Sequence, residues 1–140
     1  MDESHEGGCL CGDTRYRVDG EPFNVCFCHC ESCRRASGGA FVPWASVARK
    51  NFQFLGTEPI KYDSSQGVMR TFCARCGTAM TYEQIAEDSI DIAVTTLDEP
   101  GSLTPTSHIW MSDKLPWIQI SDGLPQYQEW RSTASSDTDE

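Results

Sequence analysis

The sequence predicts an all-β domain built from many short strands. Three observations support this prediction: apolar and polar residues alternate over short segments, turn-forming residues bound those segments, and no long stretch has a helical period. The strand candidates, in chain order, are TRYRV, FVPWASVA, IKYD, MTYE and SIDIAVTTL.

Each of these elements has a local justification. In TRYRV, Tyr16 and Val18 fall on one face of the strand because side chains alternate with a period of two. Pro43 within FVPWASVA indicates an edge strand or a bulge, since proline cannot donate to a strand ladder. The segment ESCRRASGG has helical character and ends in glycines. Prolines near the C-terminus argue against a long helix there; they are Pro100, Pro105, Pro116 and Pro125.

The 140 residues suffice for one domain with a real core and not for two. We expect residues 1–6, which are acidic and polar, to be disordered. The folded domain is predicted over residues 7–130. Residues 131–140 form a tail rich in serine, threonine and aspartate that cannot bury apolar surface, so we expect this segment to be disordered as well.

The charge of the chain limits its possible partners. The formal net charge is −10, whereas binding to a phosphate backbone requires lysine and arginine in excess. We therefore expect no binding to nucleic acid or to anionic membranes. No window contains the roughly 20 apolar residues of a membrane span, and the start MDESHEGG lacks the features of a secretion signal. We expect a cytoplasmic protein, and in a reducing compartment clustered cysteines favour metal over disulfides.

Four of the eight cysteines form two separated pairs. Cys9 and Cys11 form a C-x-C pair followed by Gly12, and Cys73 and Cys76 form a C-x2-C pair followed by glycine. A glycine after a ligand lets the backbone turn so that amides point at the sulfur. The two pairs predict one tetrahedral structural zinc site. The alternatives are disulfides or free thiols, and a redox pair at CARC, for which the usual βαβ context is missing.

The remaining four cysteines lie in VCFCHCESCRR. Cys28, Cys30 and Cys33 supply three ligands within a short segment, which predicts a zinc with an open fourth position, as in catalytic sites. Cys26 either closes a second four-cysteine site or is a buried spectator. The second interpretation is favoured, because residues i and i+2 of a strand, here Cys26 and Cys28, lie about 7 Å apart along the chain. His29 is predicted to hydrogen-bond away from the metal; His5 and His108 show no spacing signal.

Three blocks of the sequence resemble those of the glutathione-dependent formaldehyde-activating enzyme family, which includes centromere protein V-like proteins. The blocks are GGCLCGDTRY, CHCESCRRASGGAFVPW and RTFCARCGTAM, and the resemblance extends over residues 7–130. It implies a β-tent fold of short antiparallel sheets held together by two zinc ions per chain. It implies a structural zinc at Cys9, Cys11, Cys73 and Cys76, and a catalytic zinc at Cys28, Cys30 and Cys33.

The resemblance also implies a reaction. A zinc with three thiolates is a weak Lewis acid, but it can bind an incoming thiol and stabilise the thiolate. The implied activity is that of a carbon–sulfur lyase similar to S-(hydroxymethyl)glutathione synthase, with glutathione or its formaldehyde adduct as the partner. Arg34, Arg70 and Trp44 are candidate substrate-binding residues; for the arginines, charge balance at the zinc centres is the competing interpretation. The alternative function is a non-catalytic zinc-containing module that binds another protein.

Overall fold

The computed structural model describes residues 4–131 and is predominantly β, which confirms the predicted fold class. Within these residues there are ten strands, one α-helix and four short 3-10 turns. The strands are β1 Ser4–Gly8, β2 Thr14–Asp19, β3 Phe23–Cys28, β4 Val42–Ala48, β5 Phe52–Gly56, β6 Ile60–Ser65, β7 Val68–Phe72, β8 Ala79–Gln84, β9 Ser89–Ala93 and β10 His108–Ile109. The helix α1 spans Glu31–Ser37.

The five strand segments predicted from the sequence correspond to β2, β4, β6, β8 and β9, and the predicted helical piece corresponds to α1. The last predicted strand is too long, since β9 ends at Ala93 and Val94–Thr96 form a 3-10 turn. The prediction of a disordered N-terminus was wrong for residues 4–6, since β1 begins at Ser4. This polar strand pairs antiparallel with β2, and Glu6 forms an ion pair with Arg17 at 3.3 Å. Residues 1–3 and 132–140 of the two predicted disordered segments lie outside the described residues.

The contacts divide the chain into two compact units. Unit 1 comprises residues 4–23 and 45–103, and unit 2 comprises residues 24–44 and 104–131. Unit 1 contains the antiparallel three-stranded sheet β1-β2-β5 and the antiparallel series β9-β8-β7-β6. Unit 2 contains α1 and the short parallel pair formed by β10 and β3.

Tyr16 occupies the core of unit 1 and is fully buried. Its hydroxyl lies 2.7 Å from Oγ1 of Thr96. Because the Thr96 hydroxyl donates to the carbonyl of Ala93 at 2.7 Å, Tyr16 is the donor to Thr96. Burial raises the pKa of Tyr16 to about 12, so its hydroxyl retains the proton that this hydrogen bond requires.

The close approach of Gly7 to this hydrogen bond gives a first testable prediction. A β-carbon at Gly7 would lie 2.5 Å from the Thr96 carbonyl oxygen and 2.6 Å from the Tyr16 hydroxyl. Gly7→Ala should therefore cost about 1–3 kcal/mol of unfolding free energy, as overpacking of a core does. Chemical denaturation checks this. Gly101→Ala is the matched control, since its β-carbon would meet no atom within 4 Å. Equal stability of the two variants would contradict the prediction.

In unit 2, β10 pairs with the C-terminal end of β3, the strand that contains Cys26 and Cys28. His108 pairs with Phe27 and Ile109 with Cys28, in parallel register. Helix α1 follows at once, with Cys30 as its N-cap, and ends at Gly38, whose φ of 80° is favourable only for glycine. Among residues 4–131 no helix is long and apolar enough to cross a membrane.

Candidate metal centres

The first candidate centre is a cluster of four cysteines in unit 1. The sulfurs of Cys9, Cys11, Cys73 and Cys76 all lie within 4.8 Å of one another. Two of these separations are 3.6 Å, between Cys9 and Cys11, and 3.7 Å, between Cys11 and Cys73. The structure thus brings together the four cysteines for which the sequence predicts a structural zinc.

Two hairpin loops of similar construction present these sulfurs. One loop joins β1 to β2, and the other joins β7 to β8. In each loop the first cysteine donates its backbone N–H to the carbonyl of the threonine five residues later, with both bonds 3.0 Å long: Cys9 to Thr14 and Cys73 to Thr78. A glycine with positive φ follows the second cysteine, 86° at Gly12 and 80° at the corresponding residue of the other loop. The local sequence therefore preforms both halves of the cluster.

Hydrogen bonds to two of the four sulfurs, those of Cys73 and Cys76, favour thiolates. The backbone N–H groups of Cys76 and Arg75 donate to the sulfur of Cys73 at 3.4 and 3.3 Å and lower the pKa of Cys73. The hydroxyl of Thr78, 3.2 Å from the sulfur of Cys76, is the main cause that lowers the pKa of Cys76 to about 5. Thiolates are the form that binds metal.

These distances fit zinc. Four sulfurs at ~2.3 Å from a tetrahedral zinc lie about 3.8 Å from one another, close to the separations in this cluster. None of the eight cysteines forms a disulfide in this structure. The donor set of four clustered sulfurs could therefore hold one zinc ion.

The second candidate centre is a cluster of three cysteines in unit 2. The sulfurs of Cys28, Cys30 and Cys33 also lie within 4.8 Å of one another. Cys28 and Cys33 are buried, whereas Cys30 is partly exposed. Cys26 is buried on the same strand and does not belong to this group of sulfurs. The interpretation of Cys26 as a spectator remains a prediction.

The environment of this cluster fits a cation. Hydrogen bonds with the sulfurs of Cys30 and Cys33, and then burial, raise the pKa of the Cys28 thiol. Three neighbouring thiolates repel one another, so a divalent cation is needed for them to ionise together. The sulfurs also receive hydrogen bonds suited to thiolates: the backbone N–H of Cys33 donates to Cys30 at 3.3 Å, and the indole of Trp44 donates to Cys33 at 3.4 Å.

Behind the three-cysteine cluster lies a hydrogen-bonded chain that sequence reasoning missed. His29 and His108 are both buried, and Nε2 of His29 lies 3.0 Å from Nδ1 of His108. Nε2 of His108 lies 2.7 Å from a carboxylate oxygen of Asp122. The prediction that His29 is a hydrogen-bonded loop residue agrees with this contact. No short-range pattern could have found the chain, because 79 residues separate the two histidines.

Charge and burial set the protonation states of His29 and Asp122. Burial, followed by electrostatic interactions with His108, Lys114 and Arg34 in that order, lowers the pKa of His29 to about 4. The hydrogen bond from His108 lowers the pKa of Asp122. At neutral pH, His29 is therefore an uncharged imidazole and Asp122 a carboxylate.

The candidate substrate residues occupy three different environments. Arg34 clamps the backbone, since it donates to the carbonyls of His29 at 2.9 Å and Asp113 at 2.6 Å. Trp44 is buried against Cys33. Arg70 lies in unit 1, where it is buried, donates to Ser64 at 3.1 Å and places its guanidinium 4.9 Å from the ring centre of Tyr82. A substrate role for each of these residues remains a prediction.

Comparisons with known proteins bear on both the fold and the family. The family model described as glutathione-dependent formaldehyde-activating enzyme matches residues 4–113. A crystal structure of a Rhodobacter sphaeroides protein is similar in fold, with a TM-score of 0.56 and 17% identity, covering 87% of this chain and 98% of that chain. A search of curated proteins gave no significant match.

Proposed function

The chain belongs to the glutathione-dependent formaldehyde-activating enzyme family, and on that basis we propose that it is a carbon–sulfur lyase. The reaction joins a small thiol to a small aldehyde, or cleaves such an adduct. In the forward direction the sulfur–carbon bond forms, the carbonyl π bond breaks, and the thiol proton ends on the new hydroxyl. The family name points to glutathione and formaldehyde as the pair to test first.

One observation carries this proposal: three sulfurs, and not four, converge in unit 2. Cys28, Cys30 and Cys33 would hold a zinc ion and leave one coordination position for a ligand. When bound there, zinc would stabilise the thiolate form of an incoming thiol and so make it a nucleophile at neutral pH. Cys30 is the partly exposed member of the cluster and marks the side from which a substrate can approach.

A cavity on the surface of unit 2 could hold the rest of the substrate. Its volume is about 330 Å³. The lining residues come from α1, the loop after it and a C-terminal segment; they are Glu31, Arg34, Arg35, Gly38, Gly39, Ala40, Leu115 and Trp117. Glu31 directly follows Cys30, so one lining residue of the cavity is the chain neighbour of the partly exposed cysteine of the cluster.

Two of the lining side chains suit an anionic thiol. The side chain of Arg35 is 80% exposed and, although it pairs with Glu31, leaves its guanidinium open to a carboxylate. The indole of Trp117, 68% exposed, offers a flat apolar surface beside it. Arg34 also lines the cavity. Because its guanidinium donates to two backbone carbonyls, its main role is to hold the wall of the cavity in place. Together these residues would orient glutathione with its sulfur toward Cys30.

The activity test uses metal-replete, reduced protein. Glutathione and formaldehyde are mixed, and exchange NMR measures how fast free glutathione and its hydroxymethyl adduct interconvert. We expect the protein to accelerate this exchange well above the uncatalysed rate. No acceleration with glutathione or with any other thiol of a panel would contradict the proposal.

The cavity gives a prediction about charge recognition. Arg35→Gln should weaken glutathione binding by a factor of up to about five, because exposed ion pairs contribute about 0.2–1 kcal/mol. The loss should shrink at high salt, and binding of 2-mercaptoethanol, which has no carboxylate, should be unchanged. Calorimetry measures all three quantities. Lys61→Gln removes the same charge from an exposed position in unit 1 and is the control. Equal weakening in both variants would show that overall charge, and not the cavity, attracts the substrate.

The predicted cytoplasmic location belongs with this proposal. A reducing compartment keeps the thiols of both clusters available for metal, whereas an oxidising compartment would draw them into disulfides.

A further inference from the structure

When both imidazole rings are uncharged, the geometry fixes the direction of the hydrogen bonds that run from Asp122 through His108 to His29. One carboxylate oxygen of Asp122, Oδ1, accepts the backbone N–H of Leu124 at 3.0 Å. The other oxygen, Oδ2, faces Nε2 of His108 at 2.7 Å. An ionised carboxylate only accepts hydrogen bonds, so Nε2 of His108 carries the hydrogen.

The direction passes on to the second histidine. A neutral imidazole has one donor and one acceptor nitrogen, so Nδ1 of His108 is an acceptor once Nε2 is protonated. It can then accept only from Nε2–H of His29, 3.0 Å away. Nδ1 of His29 is thereby left as a bare acceptor; it is buried and has no hydrogen-bond partner among residues 4–131.

His29 connects this chain to the three-cysteine cluster. It is the residue between Cys28 and Cys30. Its backbone N–H donates to the carbonyl of Ile109 at 3.1 Å, and its carbonyl accepts from Arg34 at 2.9 Å. With the side chain held by His108, all three parts of this residue are anchored. The orientation of the peptide between the two sulfurs therefore depends on the orientation of the His29 ring.

We propose that Asp122 is a positioning residue for the three-cysteine cluster: it fixes the Nε2–H tautomer of His108 and, through it, that of His29. Asp122 does not contact a sulfur, and it acts through the two buried imidazole rings of His108 and His29. The consequence for the metal rests on the proposed role of Cys28, Cys30 and Cys33 as ligands. The tautomers themselves do not depend on that role.

Asp122→Asn tests the inference directly because it should reverse the direction of both hydrogen bonds, the one between residue 122 and His108 and the one between His108 and His29. The Asx turn with Leu124 keeps Oδ1 as the acceptor, so the new amide group faces Nε2 of His108 as a donor. Nε2 must then accept, Nδ1 of His108 becomes the donor, and His29 is forced into its Nδ1–H form. The variant is isosteric and retains the turn.

Nitrogen-15 NMR of the imidazole rings reads the tautomers directly, and the chain contains only three histidines. In the unaltered protein we expect Nε2–H forms for both His29 and His108, with a hydrogen-bond coupling between Nε2 of His29 and Nδ1 of His108. In Asp122→Asn we expect Nδ1–H forms for both. An Nδ1–H or doubly protonated His108 in the unaltered protein would overturn the inference. So would unchanged tautomers in the variant.

Metal affinity supplies the second readout. Loss of a direct hydrogen-bond partner of a metal ligand typically weakens metal binding about 10- to 100-fold. Because Asp122 acts through two rings, we expect the lower end of this range, about tenfold, for the three-cysteine cluster in Asp122→Asn. Chelator competition with Co²⁺ as a coloured substitute for zinc measures this. Asp63→Asn, an exposed aspartate of β6, is the control for charge and should change neither readout.

Reversed tautomers with unaltered affinity would disprove the positioning role. If the unaltered protein holds no metal at Cys28, Cys30 and Cys33, the proposed function fails, and the NMR result still decides what Asp122 does.

Discussion

Cys76→Ser is expected to leave a protein that is insoluble or melts at a far lower temperature. The four-cysteine cluster joins the β1–β2 and β7–β8 loops of unit 1, and its sulfurs pack against the buried Met80. Structural zinc in small domains contributes about 10–16 kcal/mol of apparent binding free energy at pH 7. That amount is comparable with the whole stability of a domain, about 5–15 kcal/mol.

The measurement is a thermal scan with elemental analysis of reduced protein. Cys9→Ser should behave like Cys76→Ser, because each variant removes one of four ligands from the same ion. A chelator strong enough to remove both metals should reproduce the effect in the unaltered protein. Normal stability in these variants, or under one zinc per chain in metal-replete unaltered protein, would contradict a structural metal.

Cys30→Ala is expected to abolish thiol binding and activity while the fold is kept. Unit 1 retains its four cysteines in this variant, so one metal per chain should remain. Removing a ligand from a three-sulfur site leaves a weakly held ion, and exchange of glutathione with its adduct should fall to the uncatalysed rate. Elemental analysis, circular dichroism and exchange NMR check the three parts of the prediction.

Cys26→Ala is the matched control for this experiment. Cys26 is a buried cysteine of the same segment, but its sulfur is not a member of the three-sulfur group. We expect full zinc content and full activity. Equal metal loss in Cys26→Ala and Cys30→Ala would indicate a closed four-cysteine site and would favour a protein-binding module over an enzyme.

Elements with a local sequence signal are predicted correctly. Period-two alternation predicts β2 and β9, because buried and partly exposed residues alternate along most of each strand. Cysteine spacing and the following glycines identified the two loops that form the four-cysteine cluster. The helix α1 was found from its glycine ending, and the αL conformation of Gly38 explains why that ending is a strong signal.

Features that depend on partners distant in the sequence, or on a polar strand, could not be predicted from the sequence. Strand β1 is held by pairing with β2 and by the ion pair of Glu6 with Arg17, which composition alone does not reveal. The link between His29 and Asp122 requires β10 to lie beside β3, a parallel contact of two residues. The clamp that Arg34 forms on two backbone carbonyls likewise depends on a segment 79 residues away.

The central claim is that the three-cysteine cluster holds a zinc ion with a position open to a thiol. X-ray absorption at the zinc edge, recorded on the two-zinc protein before and after addition of glutathione, tests it most directly. We predict fewer than four sulfurs per zinc on average before addition, and an increase toward four when glutathione binds. Four sulfurs per zinc in both spectra, with no change on addition, would contradict the claim.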